Sequence, residues 1–246
     1  MGVRGLVSCR AVDVVILCGG RGTRLQERTQ EIPKPLVEIG GRPILWHVMR
    51  IYAHHGASRF LLCTGYKGEM IEAFARAQRW PAGVEVTCVD TGLDTPTGGR
   101  IHRVGERLGE RFCATYGDGL ADLDLEAELA FHRWHGALAT MAVVRPELQF
   151  GVTELDDDGV VTGFREKPRS EHWINGGFFV FERDVLDYLA EDSVLERGPL
   201  QHLAADGQLR GFRHTGFWEC MDTYKDAVAL NDLWAGDAPP WKVWAA

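Results

Sequence analysis

The chain has 246 residues, of which 45% are hydrophobic and 25% charged, the composition of an ordinary folded globule with ample material for a core. Its net charge of −8 argues against wrapping nucleic acid or lying on an anionic membrane, so any phosphate chemistry must rest on local positive charge. No apolar run approaches the ~20 residues that span a bilayer. The six cysteines (Cys9, Cys18, Cys63, Cys88, Cys113 and Cys220) are scattered without C-x-x-C spacing and read as reduced thiols of a cytoplasmic protein.

Residues 1–11 are expected to form a loose leader, because the first ten are too short and too polar for a signal peptide. Val12, Val14, Val15, Ile16 and Leu17 then form a β-branched and apolar run suited to a strand buried on both faces of a parallel sheet. The run breaks into Gly19-Gly20-Arg21-Gly22, where the missing Cβ atoms allow a sharp turn and a close approach to a ligand. Thr23-Arg24-Leu25 is expected to open a short helical turn whose N–H groups attract phosphate. Lys34, between Pro33 and Pro35, is expected to be extended and stiffly presented. With Arg21, Arg24 and Arg28, it concentrates positive charge in a short segment and makes this stretch an anion site.

Beyond it, residues 36–39 read as a short strand, and Ile44, Leu45, Val48, Met49 and Tyr52 follow helical spacing up to Gly56. Strands are expected at 60–64, 84–89, 112–116 and 138–144, with helices at 67–79, 100–108 and 124–134 between them. This alternation predicts an α/β fold with a Rossmann-like, doubly wound, mostly parallel sheet. From Phe150 the pattern changes: residues 152–155, 160–165 and 178–181 read as strands around a turn at 156–159, a small accessory β portion that makes the whole mixed. Helices are expected from Asp184, from Pro199 and from Asp222 through Trp234. With no linker or repeat in view, residues 12–246 are read as a single domain.

Two familiar glycine loops are excluded. No Lys-Ser or Lys-Thr pair exists for a Walker A loop, and a dinucleotide fingerprint begun at Gly20 ends on Leu25 instead of glycine. Asp118, at the carboxyl end of a predicted strand between two glycines, stands where ligands sit in open α/β sheets and could hold Mg²⁺. From the residues alone Asp222 reads as the N-cap of the last helix. The pair Glu166-Lys167 reads as exposed charges at a strand end. His132 and His135 lack the partners of a zinc site. The C-terminal tryptophans are expected to cover a core or a subunit contact.

The run Cys18-Gly-Gly-Arg-Gly-Thr-Arg-Leu25 with Pro33-Lys-Pro35 resembles the signature of the sugar-1-phosphate nucleotidylyltransferases. Tyr116-Gly-Asp-Gly119, Glu166-Lys-Pro168 and Asn175-Gly-Gly-Phe178 agree in order. Gly65-Tyr-Lys-Gly68, Val89-Asp-Thr-Gly92, Thr97-Gly-Gly-Arg100, Gly216-Phe-Trp218 and Met221-Asp-Thr223 are similar to the branch of that family that makes CDP-glucose from CTP and glucose 1-phosphate. The likeness runs from about Val12 to Trp244. It departs at Cys18, where alanine is usual, and between Phe74 and Val89, where this chain is shorter. The shortened part packs subunits in that branch, which bears on the oligomer and on the sugar.

The resemblance implies a nucleotide-diphospho-sugar transferase fold with a nucleotide-binding half (12–149) and a sugar-phosphate-binding half (150–246). It implies that CTP and a sugar 1-phosphate are the substrates, that Mg²⁺ assists in-line attack at the α-phosphorus, and that the enzyme is a cytoplasmic homo-oligomer. Leu17, Gly19, Gly20, Arg21, Gly22, Thr23 and Gly117 would cradle the nucleotide, with Gly98 and Arg100 reading the base. Arg24 would face the leaving pyrophosphate and Lys34 the α-phosphate, while Asp118 and Asp222 would hold the metal. Tyr116, Gly151, Glu166, Lys167, Asn175 and Gly176 would line the sugar phosphate. UTP, dTTP or another phosphorylated alcohol would keep the same chemistry, and a catalytically silent nucleotide sensor is the alternative of a different class.

Overall fold

A computed structural model of the protein describes residues 12–22 and 31–245. The expected leader and the helical turn at 23–25, with Thr23, Arg24 and Arg28, lie outside the described residues. The strands are β1 (Asp13–Leu17), β2 (Glu38–Ile39), β3 (Arg42–Pro43), β4 (Arg59–Thr64), β5 (Glu85–Asp90), β6 (Arg111–Tyr116) and β7 (Gly119–Ala121). They continue with β8 (Ala139–Val144), β9 (Val152–Leu155), β10 (Val161–Arg165), β11 (Ile174–Glu182), β12 (Leu209–Arg213) and β13 (Trp218–Cys220). The α-helices are α1 (Ile44–His54), α2 (Gly68–Ala77), α3 (Thr97–Val104), α4 (Leu125–His135), α5 (Pro199–Ala205) and α6 (Tyr224–Ala235).

Seven strands form one sheet in the order β12-β8-β11-β6-β1-β4-β5. β1 runs parallel to both β4 and β6, β4 to β5, and β12 to β8, while β11 is antiparallel to β6 and β8. The mixed, mostly parallel sheet expected from the sequence is therefore present. Alternation along each strand builds two cores. Val14, Ile16, Phe60, Leu62, Phe178 and Val180 face α1, α2, α4 and α6. Val15, Leu61, Cys63, Phe112, Phe179 and Phe181 face α3, α5 and a 3-10 helix at Arg183–Tyr188. Trp241 and Trp244 close the first core beside His47, where Trp241 is fully buried, so the terminal tryptophans cover a core.

Several elements depart from the sequence reading. Strands β7, β12 and β13 were not expected, because β12 is a half-exposed edge of alternating polar residues and β7 and β13 are only three residues each. Helix α3 begins at Thr97, three residues before the expected start, so Gly98 and Gly99 lie inside its first turn. Lys34 is not extended: it opens a 3-10 turn (Lys34–Leu36), in which the Val37 amide donates to the Lys34 carbonyl at 3.1 Å. Residues 184–188 form 3-10 helix rather than α-helix.

One buried group stands apart. Glu128 on α4 is wholly buried, both its carboxylate oxygens lack a hydrogen-bond partner among the described residues, and burial pushes its carboxyl well up. The folded chain retains this proton while the unfolded chain releases it above its ordinary value of 4.5, so Glu128 costs stability increasingly as pH rises. The slope reaches about 1.4 kcal/mol per pH unit. Glu128→Met is expected to out-stabilise the wild type by a margin that grows as pH rises above about 5 in urea unfolding. A margin that does not change with pH would contradict a protonated Glu128.

Candidate active site

The carboxyl ends of β1 and β6 and the segment beyond β5 converge on a cavity of about 410 Å³. Leu17, Cys18, Gly19, Gly20 and Gly22 form one wall, Thr95, Pro96, Thr97 and Arg100 a second, and Lys34, Pro35, Tyr116, Gly117, Asp118 and Asp222 the floor. A second cavity of about 390 Å³ adjoins it, lined by Thr115, Asn175, Gly176, Gly177, Trp218 and Cys220. Tyr116, Asp118 and Asp222 belong to both. Such a pair of spaces meeting at shared carboxylates suits two ligands that react with each other.

Asp118 and Asp222 meet although 104 positions separate them, because β7 follows the first, β13 precedes the second, and the two strands pair antiparallel. The Met221 amide donates to the Asp118 carbonyl at 3.0 Å and closes the arrangement. Asp222 is not the N-cap that the residues alone suggested. Thr223 caps α6 in a capping box with Asp226, which leaves the Asp222 carboxylate to face Lys34. Lys34 Nζ lies 2.6 Å from Asp118 and 2.7 Å from Asp222. Burial alone would depress the Lys34 ammonium, but the two carboxylates reverse this and raise it.

Among the described residues, Asp118, Cys220 and Asp222 form the one group of three or more histidine, cysteine or acidic side chains whose ligand atoms fall within 4.8 Å of one another. Two hard carboxylates beside an already seated ammonium fit a hard divalent cation. Burial first, and then Asp118 and Asp222, hold the Cys220 thiol protonated, so it adds no charge.

Arg100 is placed differently from the expected base reader. It is 4% exposed and lies beneath the glycine loop. One Nη donates to the Thr64 carbonyl at 2.8 Å and to Thr91 Oγ1 at 2.7 Å. The other donates to the Gly19 carbonyl at 3.0 Å and the Leu93 carbonyl at 3.3 Å. Both Nη groups are thus occupied by the end of β4 and by the segments that follow β1 and β5. Gly19 is needed for the arginine as much as for a ligand: a Cβ there would sit 1.9 Å from Arg100 Nη1. Gly98, the other expected base contact, is not on the cavity wall. A Cβ on it would meet the Ser193 carbonyl at 2.8 Å, so its small size serves packing against the 191–193 backbone.

Leu17, Gly19, Gly20, Gly22, Lys34, Tyr116, Gly117, Asp118, Asn175, Gly176 and Asp222 all line one or both of the two cavities. Arg21 is turned outward, exposed and paired with Asp94 at 3.2 Å. Gly151, Glu166 and Lys167 are also off both cavity walls. They flank the exposed β9–β10 ribbon, where Gly151 leaves room for the Phe164 ring and the Glu166 carboxylate. Lys167 is not extended but left-handed, with φ +43, a strained backbone for a side-chain-bearing residue. Thr95, Pro96, Trp218 and Cys220 were missed, and nothing in their local sequence sets them apart from ordinary loop and strand residues.

This architecture defines a class: a glycine loop at the end of a parallel strand beside a carboxylate pair, opening to a second pocket. The chain belongs to the nucleotidyl transferase family, whose model matches residues 13–206. It is 42% identical to the probable glucose-1-phosphate cytidylyltransferase of Bacillus subtilis (strain 168) and 44% identical to the glucose-1-phosphate cytidylyltransferase of Salmonella typhi. Each alignment covers 95% of this chain and 100% of the relative. In fold it matches the crystal structure of HddC from Yersinia pseudotuberculosis with a TM-score of 0.69, at 23% identity, over 91% of this chain and 99% of the other. No helix among the described residues is long and apolar enough to cross a membrane.

Proposed function

We propose that this enzyme transfers the cytidylyl group of CTP to a sugar 1-phosphate, with glucose 1-phosphate the first candidate, releasing pyrophosphate. The observation that carries the reading is the meeting of two cavities at the Asp118–Lys34–Asp222 cluster. A sugar-phosphate oxygen attacks the α-phosphorus, and the bond from that phosphorus to the bridging oxygen of the β-phosphate breaks as pyrophosphate leaves. Two anions must approach, so positioning and charge neutralisation dominate the catalysis.

The glycine loop with Gly117 would hold the triphosphate in the first cavity, and Asn175, Gly176 and Tyr116 the sugar in the second. Lys34 would share its charge with the α-phosphate, and by family resemblance Arg24 would face the pyrophosphate. Glu166 and Lys167 are assigned to the sugar hydroxyls and the sugar phosphate on the same resemblance, and the strain at Lys167 supports a functional constraint there. Asp118 and Asp222 would hold Mg²⁺, which when bound offsets phosphate charge. Arg100 enters through the loop it braces, and the base would meet the wall of Thr95, Pro96 and Thr97. The reading includes a cytoplasmic, self-associating enzyme, and the reduced thiols of Cys18, Cys63, Cys88 and Cys220 are in keeping with a reducing compartment.

The test is pyrophosphate release with Mg²⁺, each of CTP, UTP, dTTP, ATP and GTP, and a panel of sugar 1-phosphates. CTP with glucose 1-phosphate is expected to give the highest kcat/KM. Silence with every pair would refute catalysis, and turnover with UTP or dTTP but not CTP would refute the base assignment alone.

A further inference from the structure

Glu196 touches neither cavity, yet it is hydrogen-bonded to a wall of each. It lies in the segment between the 3-10 helix and α5, far in sequence from the glycine loop. One carboxylate oxygen accepts the phenolic O–H of Tyr116, 80 positions away. The other accepts the hydroxyl of Thr97 at 2.9 Å, 99 positions away. Thr97 Oγ1 in turn accepts the Leu195 amide at 2.9 Å, so the carboxylate and the hydroxyl fix each other.

The segment carrying Glu196 is itself docked rigidly. The Gly99 amide donates to the Ser193 carbonyl at 3.0 Å, and a Cβ on Gly99 would stand 2.0 Å from the Glu191 carbonyl. On the other side the Tyr116 ring is closely packed, since a Cβ on Gly177 would lie 2.6 Å from its Cδ2.

We infer that Glu196 is a positioning residue that locks Tyr116, shared by both cavities, to the Thr97 wall of the nucleotide cavity, so that the two substrate sites keep one geometry. The inference rests on the nucleotidyltransferase reading with CTP and a sugar 1-phosphate. Thr97 lines the first cavity only and Tyr116 lines both, which makes the role separable by substrate. A charged acceptor bonded to two walls holds each more firmly than a neutral one.

The experiment measures kcat and each KM for CTP and glucose 1-phosphate in wild type, Glu196→Ala, Glu196→Gln, Tyr116→Phe, Thr97→Val and the Glu196→Ala/Tyr116→Phe double variant. Wild-type turnover comes first, and its absence would refute the parent reading and not this one. Glu196→Ala is expected to lower kcat/KM for both substrates by about tenfold, chiefly through KM. Glu196→Gln, which can still accept from Tyr116, is expected to recover most of the loss. The double variant should be no worse than the poorer single one, because both changes remove the same constraint. Thr97→Val should raise the KM for CTP alone, and Tyr116→Phe both. Multiplying effects in the double variant would overturn the inference, as would a Glu196→Ala protein with a lower melting temperature but unchanged KM values. Should Glu196→Ala not fold, wild-type KM values in both Tyr116→Phe and Thr97→Val would overturn it.

Discussion

Asp118→Asn is expected to lower kcat by about 10²–10³-fold or more while leaving the protein folded. The side chain keeps its shape and loses its charge at the boundary of the two cavities, where it faces Lys34 at 2.6 Å. Developing charge on the phosphates then has one carboxylate fewer to organise a cation, and Lys34 is left with Asp222 as its nearest anion. The half-buried cluster changes from two carboxylates and one ammonium to one carboxylate and one ammonium with no net charge, so the fold has little reason to fail. The check is pyrophosphate release at saturating substrates over a Mg²⁺ titration, together with the melting temperature. Activity within a few-fold of wild type at ordinary Mg²⁺ would show that Asp118 is not a metal ligand.

The second large effect is expected at Arg100. Replacing it with methionine removes four hydrogen bonds from a buried guanidinium and leaves the carbonyls of Gly19, Thr64 and Leu93 without that donor. Each lost bond costs about 0.5–1.5 kcal/mol net, which over the whole set in a chain of this size lowers the melting temperature by roughly 10 °C. Because Arg100 joins the end of β4 to the segments after β1 and β5, the first cavity's wall should loosen and the KM for CTP should rise more than that for the sugar phosphate. Gly19→Ala should reproduce this pattern, since its Cβ would occupy the place of Arg100 Nη1 at 1.9 Å. A Gly19→Ala protein with wild-type melting and a raised KM for CTP would instead mean that Gly19 serves the ligand directly. A direct base contact by Arg100 predicts the converse for Arg100→Lys: altered preference among CTP, UTP and dTTP without loss of stability.

These two expectations rest on different kinds of legibility. Asp118 stood out in the sequence because a carboxylate between two glycines after an apolar run has few structural reasons to be there. Arg100 was legible only as a cation near a helix start. The same residues fit a solvent-facing base reader and a buried brace, and the choice depends on three loops that lie far apart in the chain. Asp222 was ambiguous for a related reason: a capping residue and a ligand look alike until it is known that Thr223 and Asp226 form the cap. Glu196, in an ordinary stretch of Val194-Leu-Glu-Arg197, carried no local signal.

The sequence by itself determined the sheet strands rich in β-branched and aromatic residues, the helices between them, the glycine loop and the family. Those features are written in nearest neighbours and in the period of apolar residues, which local chemistry sets. Tertiary structure alone decided the short pairing of β7 with β13, the 3-10 turn that delivers Lys34 to Asp118 and Asp222, the burial of Arg100 and the outward turn of Arg21. It also placed Gly151, Glu166 and Lys167 on an exposed ribbon away from both cavities. Each of these depends on which distant carbonyl or carboxylate a long polar side chain meets, and no residue's own neighbours in sequence carry that information.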